Sequence, residues 1–429
     1  MIEQLAALPT YEAYKDSGVE WLGEIPAHWN LTRLSTRFEE RRQKVSDKDF
    51  LPLSVTKNGI LPQLDSAAKS NDGDNRKLVK KGDFVINSRS DRKGSSGVSD
   101  RDGSVSLINI VLTPNGIDSQ YCNFLLKSYA FIEEFYRMGH GIVADLWTTR
   151  YDEMKAVILG VPPLLEQTAI ADFLDRKTAQ IDQAVAIKEQ QIDLLKERKQ
   201  ILIQNAVTRG LDSNVPMRDS GVDWIGEVPA HWEVTRLKYI FSETNERTKT
   251  GQEVLFSLRM EQGLVPHNDV SDKHIADDNL IDYKIIRPGQ MIMNRMRAAI
   301  GIFGLADKFG LVSPDYAVFN IGQNAFPEYF LRLFKTPLIG EQFRLNSKGL
   351  GTGSSGFMRL YTENFGDIKV SLPSKEEQVN IVTYIETQSA KIDQAIAIQQ
   401  QQIDKLKEYK ATLINSAVTG KIRIPEVAA

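Results

Sequence analysis

Disulfides and membrane spans are the first features that the sequence lacks. Its single cysteine, Cys122, excludes an internal disulfide and is typical of a reducing compartment. No apolar run reaches the roughly eighteen residues that cross a bilayer, and the start of the chain lacks the basic flank and apolar stretch of a secretory signal. We therefore expect a cytoplasmic protein with no membrane partner, in which the lone thiol is buried rather than catalytic.

An excess of charge of one sign is also missing. The chain has 53 Lys and Arg against 56 Asp and Glu, a net charge of −3, which excludes a protein that coats nucleic acid through bulk charge. Its 429 residues, 41% hydrophobic and 25% charged, have an ordinary globular composition and are enough for several domains. Any binding to DNA would therefore require local basic patches.

Catalytic and cofactor motifs are the third absence. The sequence has no phosphate-binding loop ending in Gly-Lys-Ser/Thr, no histidine pair at metal spacing and no carboxylate pair singled out by its spacing. "GTGSSG" (Gly351–Gly356) fits a dinucleotide pattern, but no βαβ unit surrounds it, so a loop turn is predicted. No catalytic residue, metal or cofactor is predicted, and His28 and His231 are interpreted as packed or capping side chains beside Trp29 and Trp232.

What the sequence does contain is a tandem duplication. "YKDSGVEWLGEIPAHWNLTRL" (Tyr14–Leu34) and "MRDSGVDWIGEVPAHWEVTRL" (Met217–Leu237), here called the Trp motifs, share 14 of 21 positions at an offset of 203. Residues Ala179–Thr208 and Ala390–Thr419, here called the helix repeats, share 20 of 30 positions at an offset of 211. The segments between them match only weakly. Each copy therefore begins and ends alike and differs in the middle.

The helix repeats have the heptad spacing of a coiled coil. Polar residues interrupt the apolar series at Lys188 and Lys199 in the first copy and at Gln399 and Lys410 in the second. Such interruptions usually fix the register of two helices. The candidate partner-binding and spacer residues are the apolar positions, namely Ile181, Val185, Ile192, Leu195, Leu202, Ile392, Ile396, Ile403, Leu406 and Leu413.

Local signals mark where these helices begin and end. Ser374 and Glu377 have the spacing of a capping box, whereas Pro163 stands at the matching place of the first copy, where proline is tolerated in a first turn. Gly210 and Gly420 lie where each helix should stop. Each helix repeat, about 45 Å long at 1.5 Å per residue, would suit a rod that holds two bodies apart.

The divergent middles combine short apolar stretches, glycine-marked turns and helical pieces, and we interpret each as a compact α+β domain. Between Arg76 and Arg101 the first middle has eight Lys or Arg against three Asp. The second offers "NRMR" (Asn294–Arg297) and "SSGFMR" (Ser354–Arg359). Such residues on Gly- and Ser-rich loops could contact bases or phosphates, although a charge run is more often a solvated face.

These segments resemble the signature of a known family. "YKDSGVEWLGEIPAHW", "PPLLEQTAIADFLD" and their second copies "MRDSGVDWIGEVPAHW" and "LPSKEEQVNIVTYIE" are similar to the specificity (S) subunits of type I restriction-modification systems. The likeness covers the whole chain in the right order, and the glycine-bearing segments "GHGIVADLW" and "GLGTGSSGF" also fit. Ser374 and Lys375 stand where the first copy has Pro163 and Leu164. Both copies keep a Glu-Gln pair, which is Glu166–Gln167 in the first and Glu377–Gln378 in the second.

The resemblance implies a non-catalytic subunit that reads double-stranded DNA. Two target recognition domains, each reading half of a bipartite site, are separated by two long antiparallel coiled-coil helices in a pseudo-twofold α+β arrangement. Methyltransferase (M) subunits, two of them, dock on the helices, and restriction (R) subunits complete the complex. The expected divisions are a first recognition domain at 1–162, a first spacer helix at 163–210, a second recognition domain at 211–373, and a second spacer helix with a C-terminal tail at 374–429.

Candidate DNA contacts are polar side chains of the two middles. In the first domain they are Arg89, Arg92, Lys93, Ser95 and Thr149. In the second domain they are Arg259, Asn294, Arg295, Ser354 and Arg359.

Two other classes of function stay open at this point. One is a coiled-coil scaffold whose middle domains bind no DNA, which salt-dependent binding to duplex DNA would contradict. The other is an enzyme with its own nuclease or methyltransferase site, against which the absence of a cofactor loop counts.

Overall fold

The computed structural model describes residues 8–64, 73–141, 147–272, 275–349 and 358–425. Contacts divide the chain into two units, and the first holds the described residues up to Glu189 together with those from Gln399 onward. The second unit holds residues 190–398. Within the described residues, no helix combines the length and the hydropathy needed to cross a lipid bilayer.

Helices are short in the middles and long in the helix repeats. In chain order they are α1 (Leu34–Arg37), α2 (Ser119–Lys127), α3 (Tyr129–Arg137), α4 (Tyr151–Met154), α5 (Leu164–Arg209), α6 (Pro327–Phe334), α7 (Pro337–Leu345), α8 (Thr362–Asp367) and α9 (Lys375–Val418). The long helices α5 and α9 contain 46 and 44 residues. Each long helix is divided between the two units, so each unit contains part of both.

The first unit contains small antiparallel sheets. Its strands are β1 (Tyr14–Asp16), β2 (Glu24–Pro26), β3 (Asn30–Arg33), β4 (Phe38–Glu40), β5 (Lys44–Val45), β6 (Leu53–Thr56), β7 (Gly59–Pro62), β8 (Arg76–Val79), β9 (Phe84–Asn87), β10 (Ser96–Val98), β11 (Gly103–Val105), β12 (Asn109–Pro114) and β13 (Ile158–Val161). The largest sheet has the order β10-β9-β12-β4, beside a sheet of order β11-β8-β5. Strand β3, at the end of the Trp motif, pairs with β13, which leads directly into α5.

The second unit repeats this pattern. Its strands are β14 (Met217–Asp219), β15 (Glu227–Pro229), β16 (Glu233–Arg236), β17 (Phe241–Thr244), β18 (Phe256–Arg259), β19 (Gly263–Pro266), β20 (Lys284–Ile286), β21 (Met291–Asn294), β22 (Phe303–Leu305), β23 (Gly310–Val312), β24 (Tyr316–Ile321) and β25 (Lys369–Leu372). The largest sheet has the order β17-β24-β21-β22, and β16 pairs with β25 ahead of α9. The divergent middles therefore share one fold although their sequences match weakly.

The long helices pack antiparallel through the polar residues that interrupt the heptads. In the first unit, Lys410 Nζ lies 2.6 Å from an Asp182 carboxylate oxygen, and Lys188 Nζ donates to Gln399 Oε1 at 3.1 Å. In the second unit, Lys199 Nζ lies 2.7 Å from Asp393. The predicted fold class, α+β with two globular domains and two long antiparallel helices, is confirmed.

The apolar positions of the helix repeats lie on a buried or half-buried stripe. The buried members are Ile181, Val185, Ile192, Ile392, Ile403 and Leu413. The half-buried members are Leu195, Leu202, Ile396 and Leu406.

The predicted helix boundaries are also seen. The Ser374 hydroxyl accepts from Glu377 N–H at 3.2 Å while the Glu377 carboxylate accepts from Ser374 N–H at 3.2 Å, which is a capping box. Gly210 and Gly420 follow the helices with φ of +76° and +74°, a conformation that favours glycine. A Cβ on Gly420 would meet Pro26 Cδ at 2.3 Å, so the second helix ends directly against the first Trp motif.

Each domain has an apolar core. Trp29 and Trp232 are fully buried in their units, and Phe241, Phe319 and Phe365 form part of a phenylalanine cluster in the second. Cys122 is buried as predicted, and its burial raises the pKa of the thiol well above its ordinary value. This thiol therefore stays protonated and unreactive at neutral pH.

Candidate functional site

The Trp motif and the first long helix meet at one buried carboxylate. Glu166 accepts hydrogen bonds from Tyr11 Oη at 2.7 Å and from Trp29 Nε1 at 3.0 Å, and it lies 2.8 Å from His28 Nε2. Burial, followed by the hydrogen bond to Glu166, raises the pKa of Tyr11 well above its ordinary value, so its hydroxyl stays a donor. His28, 48% exposed at the side chain, thus contacts the carboxylate at the start of the helix from the solvent side.

The second copy repeats this junction. Glu377 lies 2.8 Å from His231 Nε2 and 3.2 Å from Trp232 Nε1. Burial acts to raise the pKa of Glu377, but hydrogen bonds from His231, Trp232 and Ser374 hold it below its ordinary value. The retained Glu of the Glu-Gln pair therefore joins each Trp motif to its helix.

The glutamine of the pair joins the same helix to the domain. Gln167 accepts from the N–H of Asp118 at 2.8 Å and donates to the carbonyl of Pro162 at 2.9 Å. Gln378 accepts from Phe326 N–H at 2.7 Å and donates to the Pro373 carbonyl at 2.9 Å. The near-identical segments are alike because they make the same hydrogen bonds in both units.

Each middle domain also has a polar cleft. The cleft of the first domain has a volume of about 680 Å³. Its basic lining residues are Arg42, Lys44, Lys77, Arg89 and Arg150, and its acidic ones are Glu40 and Asp152. Because the whole chain carries a net charge of −3, this concave surface is a local basic patch of the kind that DNA binding would require.

The second domain has a cleft of about 770 Å³. Its basic lining residues are Arg247, Lys284, Arg295, Lys348 and Arg359, and its acidic ones are Glu243, Asp315 and Glu363. Both clefts begin at the strand after the Trp motif and end at the short helix before the long one. They therefore occupy equivalent places in the two domains.

The same ion pair lies inside both clefts. Lys77 Nζ donates to Glu40 Oε1 at 3.2 Å and to the Asn109 carbonyl at 2.8 Å. Lys284 Nζ donates to Glu243 Oε1 at 3.0 Å and to the Tyr316 carbonyl at 2.7 Å. Since Asn109 and Tyr316 begin the equivalent strands β12 and β24, the lysine ties the cleft to the same strand end in each domain.

The carboxylate of the second pair receives further donors. Glu243 accepts from Arg295 Nη2 at 2.7 Å and from the hydroxyl of Thr362. Burial acts to raise the pKa of Glu243, but hydrogen bonds from Thr362 and Lys284, with the charge of Arg295, hold it below its ordinary value. This carboxylate is therefore ionised at neutral pH.

The predicted contact residues of the first domain divide into exposed and buried ones. Arg89 lines the first cleft, and Arg92 is exposed beside Asp91. Lys93 pairs with Glu133 at 2.7 Å. Ser95 and Thr149 are buried, and Thr149 donates its hydroxyl to the Phe135 carbonyl at 2.9 Å although the residue also borders the cleft.

In the second domain, Arg295 and Arg359 both line the cleft, and Arg359 pairs with Asp315 at 2.9 Å. Asn294 accepts from the N–H of Met296 at 3.1 Å, and Arg259 donates to the Val270 carbonyl at 3.3 Å. Ser354 lies outside the described residues, as does "GTGSSG", of which it is part. The structure thus brings Arg295 and Arg359 together and leaves the other described candidates outside this cleft.

Sequence reasoning missed the Lys–Glu pairs and Arg42. The signal was present, because Phe38 and Glu40 match Phe241 and Glu243 at the same offset as the Trp motifs. The two lysines, Lys77 and Lys284, each stand four residues before one of the matching segments "KGDFVIN" and "PGQMIMN". Across the described ranges, no three His, Cys, Asp or Glu side chains come together in a way that could hold a metal ion.

Known proteins that resemble this chain are specificity subunits. The model for the type I restriction modification DNA specificity domain matches residues 230–408. The putative type I restriction enzyme MjaX specificity subunit of Methanocaldococcus jannaschii is 24% identical over 94% of this chain and 96% of that protein. The EcoKI specificity subunit of Escherichia coli K12 is 26% identical over 53% of this chain and 49% of that protein.

Solved structures share the fold. A chain from a structure of the type I R-M system, solved to explain its complex assembly and conformational transition, superposes with a TM-score of 0.65 at 14% identity, covering 92% of this chain and 98% of that chain. The HsdS subunit of Thermoanaerobacter tengcongensis gives a TM-score of 0.56 at 15% identity, over 93% and 98%.

Two related domains, each with a Trp motif and a basic cleft and each joined to a long helix, define a tandem pair of one fold, and the second of them matches the specificity-domain model. The chain is similar to the specificity subunits of type I restriction-modification systems over nearly its whole length, which agrees with the resemblance predicted from the Trp motifs and the Glu-Gln segments.

Proposed function

We propose that this chain reads a bipartite DNA site, with one recognition domain on each half-site, as the DNA-specificity subunit of a type I restriction-modification complex. The observation that carries the proposal is the pair of equivalent basic clefts, one in each domain of an otherwise acidic chain. Local positive charge draws in the phosphate backbone, and Arg, Asn and Gln on the same surface can read base edges.

In this mechanism, segments within residues 35–160 and 238–370 enter the major groove. Arg89, Arg295 and Arg359, which line the clefts, are placed for base contacts. Arg92, Lys93, Arg259, Asn294 and Ser354 stay in the set as predicted base or phosphate contacts. Ser95 and Thr149 are buried, and the Thr149 hydroxyl donates to the Phe135 carbonyl, so direct contact by either residue would need the domain to change conformation.

The remaining parts of the chain serve assembly. Recognition domains at 1–162 and 211–373 hold the clefts, and spacer helices at 163–210 and 374–429 set the distance between half-sites. Two methyltransferase subunits dock on these helices, and restriction subunits join the complex. The chain itself is non-catalytic and needs no cofactor, since its task is to present DNA to the partners.

The first test is to express the chain with its methyltransferase subunit and to map the methylated adenines in host DNA. A split motif, with two short defined parts around a fixed undefined gap, is expected. A short continuous motif would contradict the use of two domains. No methylation at all would favour a scaffold that does not read DNA.

The spacer role has its own test. Four residues inserted after Glu189, about one turn of α5, should change the length of the gap while both half-site sequences stay the same, because the helices and not the clefts set the distance. The matched control is the same insertion after Pro114, in a loop of the first domain. A gap that is unchanged by the helix insertion would contradict the spacer role.

A further inference from the structure

In both clefts an arginine donates a hydrogen bond to the glutamate that the lysine also binds. The two arginines stand at different positions of the shared fold. In the first domain, Arg42 Nε donates to Glu40 Oε2 at 2.6 Å. In the second domain, Arg295 Nη2 donates to Glu243 Oε1 at 2.7 Å. Arg42 lies two residues beyond Glu40 on the same strand end, whereas Arg295 follows β21, a different strand.

The lysine compensates the charge of the glutamate in each cleft. A glutamate alone would cancel its arginine and would repel DNA phosphates. Because Lys77 neutralises Glu40 and Lys284 neutralises Glu243, the arginine keeps an uncompensated positive charge in each cleft. The four side chains of the two pairs are between 4% and 20% exposed, so solvent screens their charges only in part.

The carboxylate also fixes the direction of each guanidinium. The planar guanidinium group of arginine can donate two parallel hydrogen bonds to the O6 and N7 atoms of guanine. A guanidinium group that is already held at one edge loses less conformational entropy when it binds. Each glutamate engages one nitrogen of its arginine, at the Nε edge in Arg42 and at Nη2 in Arg295. Among the residues that the structure describes, neither guanidinium makes a further hydrogen bond, which leaves its remaining N–H groups to a ligand in the cleft.

We infer that Arg42 and Arg295 are the guanine-reading residues of the two half-sites, and that Glu40 and Glu243 are positioning residues that aim them. This inference rests on the proposed DNA-specificity function. Since Arg42 is 68% exposed and Arg295 only 14%, the two cations stand at different depths in equivalent clefts. The same fold can therefore place its guanine contact at a different position in each half-site.

The experiment maps methylated motifs with Arg42→Ala and Arg295→Ala variants, each expressed with the methyltransferase subunit. Each variant should lose preference for guanine at one base pair, by about ten-fold or more, and the affected pair should lie in a different half-site for each. The matched controls are Arg101→Ala and Arg344→Ala, which remove exposed arginines paired with Asp100 and Glu341 outside the clefts.

The positioning role is tested by Glu243→Gln, which keeps Arg295 and removes the charge that aims it. Relaxed preference at the same base pair as in Arg295→Ala is expected, and Arg295→Lys should not restore it because an ammonium group has no fork. A variant complex that assembles and keeps its preference at the other base pairs of the same half-site shows that the altered domain has folded.

Each outcome decides the inference. Unchanged motifs in both arginine variants would overturn it, as would a uniform loss of methylation at all sites in assembled complexes, which marks a phosphate contact. Neither result touches the proposed function, which fails only if the unaltered chain gives no split motif.

Discussion

The two clefts are alike in their interior and different at their rims. Both contain a glutamate bound by a buried lysine that also holds the first carbonyl of an equivalent strand. At the rims, Ser88 of the first cleft corresponds to Arg295 of the second, and Thr148 corresponds to Arg359. The residues that shape the cleft are therefore separate from those that differ between the two domains.

This separation explains how one fold can serve two half-sites. The interior ion pair joins strands that are far apart in sequence, so a change there alters the backbone of the whole cleft. Arg359, at the rim of the second cleft, is 37% exposed at the side chain and pairs with the exposed Asp315, so a change there disturbs less of the fold. Rim residues can therefore differ between copies without loss of the fold, which is the pattern seen in the divergent middles.

The largest expected effect is the loss of stability when the lysine of the Lys–Glu pair inside each cleft is replaced. Lys77→Met and Lys284→Met each leave a carboxylate with one compensating cation fewer, and each should destabilise its own unit by about 3 kcal/mol. Urea unfolding would measure this loss. Lys155→Met and Lys238→Met, which remove exposed lysines paired with Asp152 and Asp367, are controls that should cost no more than about 1 kcal/mol. Equal losses in control and interior variants would contradict a structural role for the buried pairs.

A smaller effect is expected from exchanging a rim residue. Arg359→Ala should cost about 1–3 kcal/mol at a single base pair of the second half-site if its guanidinium reads a base. The reverse exchange, Thr148→Arg, should add a preference to the first half-site only. Motif mapping with the methyltransferase subunit measures both. A change in the wrong half-site would break the correspondence between the two rims.

The smallest expected effect is on the stability of the second unit at acidic pH. Because the folded-state pKa of Glu243 lies below the ordinary value of 4.5, its carboxylate stabilises the second unit above about pH 4.5, and this contribution is lost as the pH falls through the folded-state pKa. Glu243→Gln should therefore weaken the fall in urea midpoint below that pH. Glu363→Gln, an exposed carboxylate of the same cleft, is the control. An identical acid dependence in both variants would contradict the prediction.

The sequence predicted the parts of the fold that both copies repeat. The long helices, the capping box at Ser374 and the glycine at position 420 follow local rules of spacing, so single motifs were enough to find them. The shared fold of the middles could not be derived in this way. Its common features depend on strands whose paired residues are far apart in the chain.

The candidate site was predicted only in part, for the same physical reason. Glu40 and Lys77 are separated by 37 residues, and Glu243 and Lys284 by 41, so no local pattern connects them. The sequence also does not show whether a polar residue in a loop-rich segment is buried or exposed. Thr149 was expected on the surface, but its hydroxyl is used by the Phe135 carbonyl inside the domain.

The division of the helices between units has a consequence for the order of folding during synthesis. The first unit needs Asn415 and Val418, which contact α3 and α2, and Lys421, which donates to the Leu22 carbonyl. The ribosome reaches Gln399 about two hundred residues after Glu189, which takes on the order of 10–40 s. The second unit is continuous in sequence. The domain whose synthesis starts first is therefore completed last, and until then its unfinished helix contacts are exposed to chaperones and to other chains.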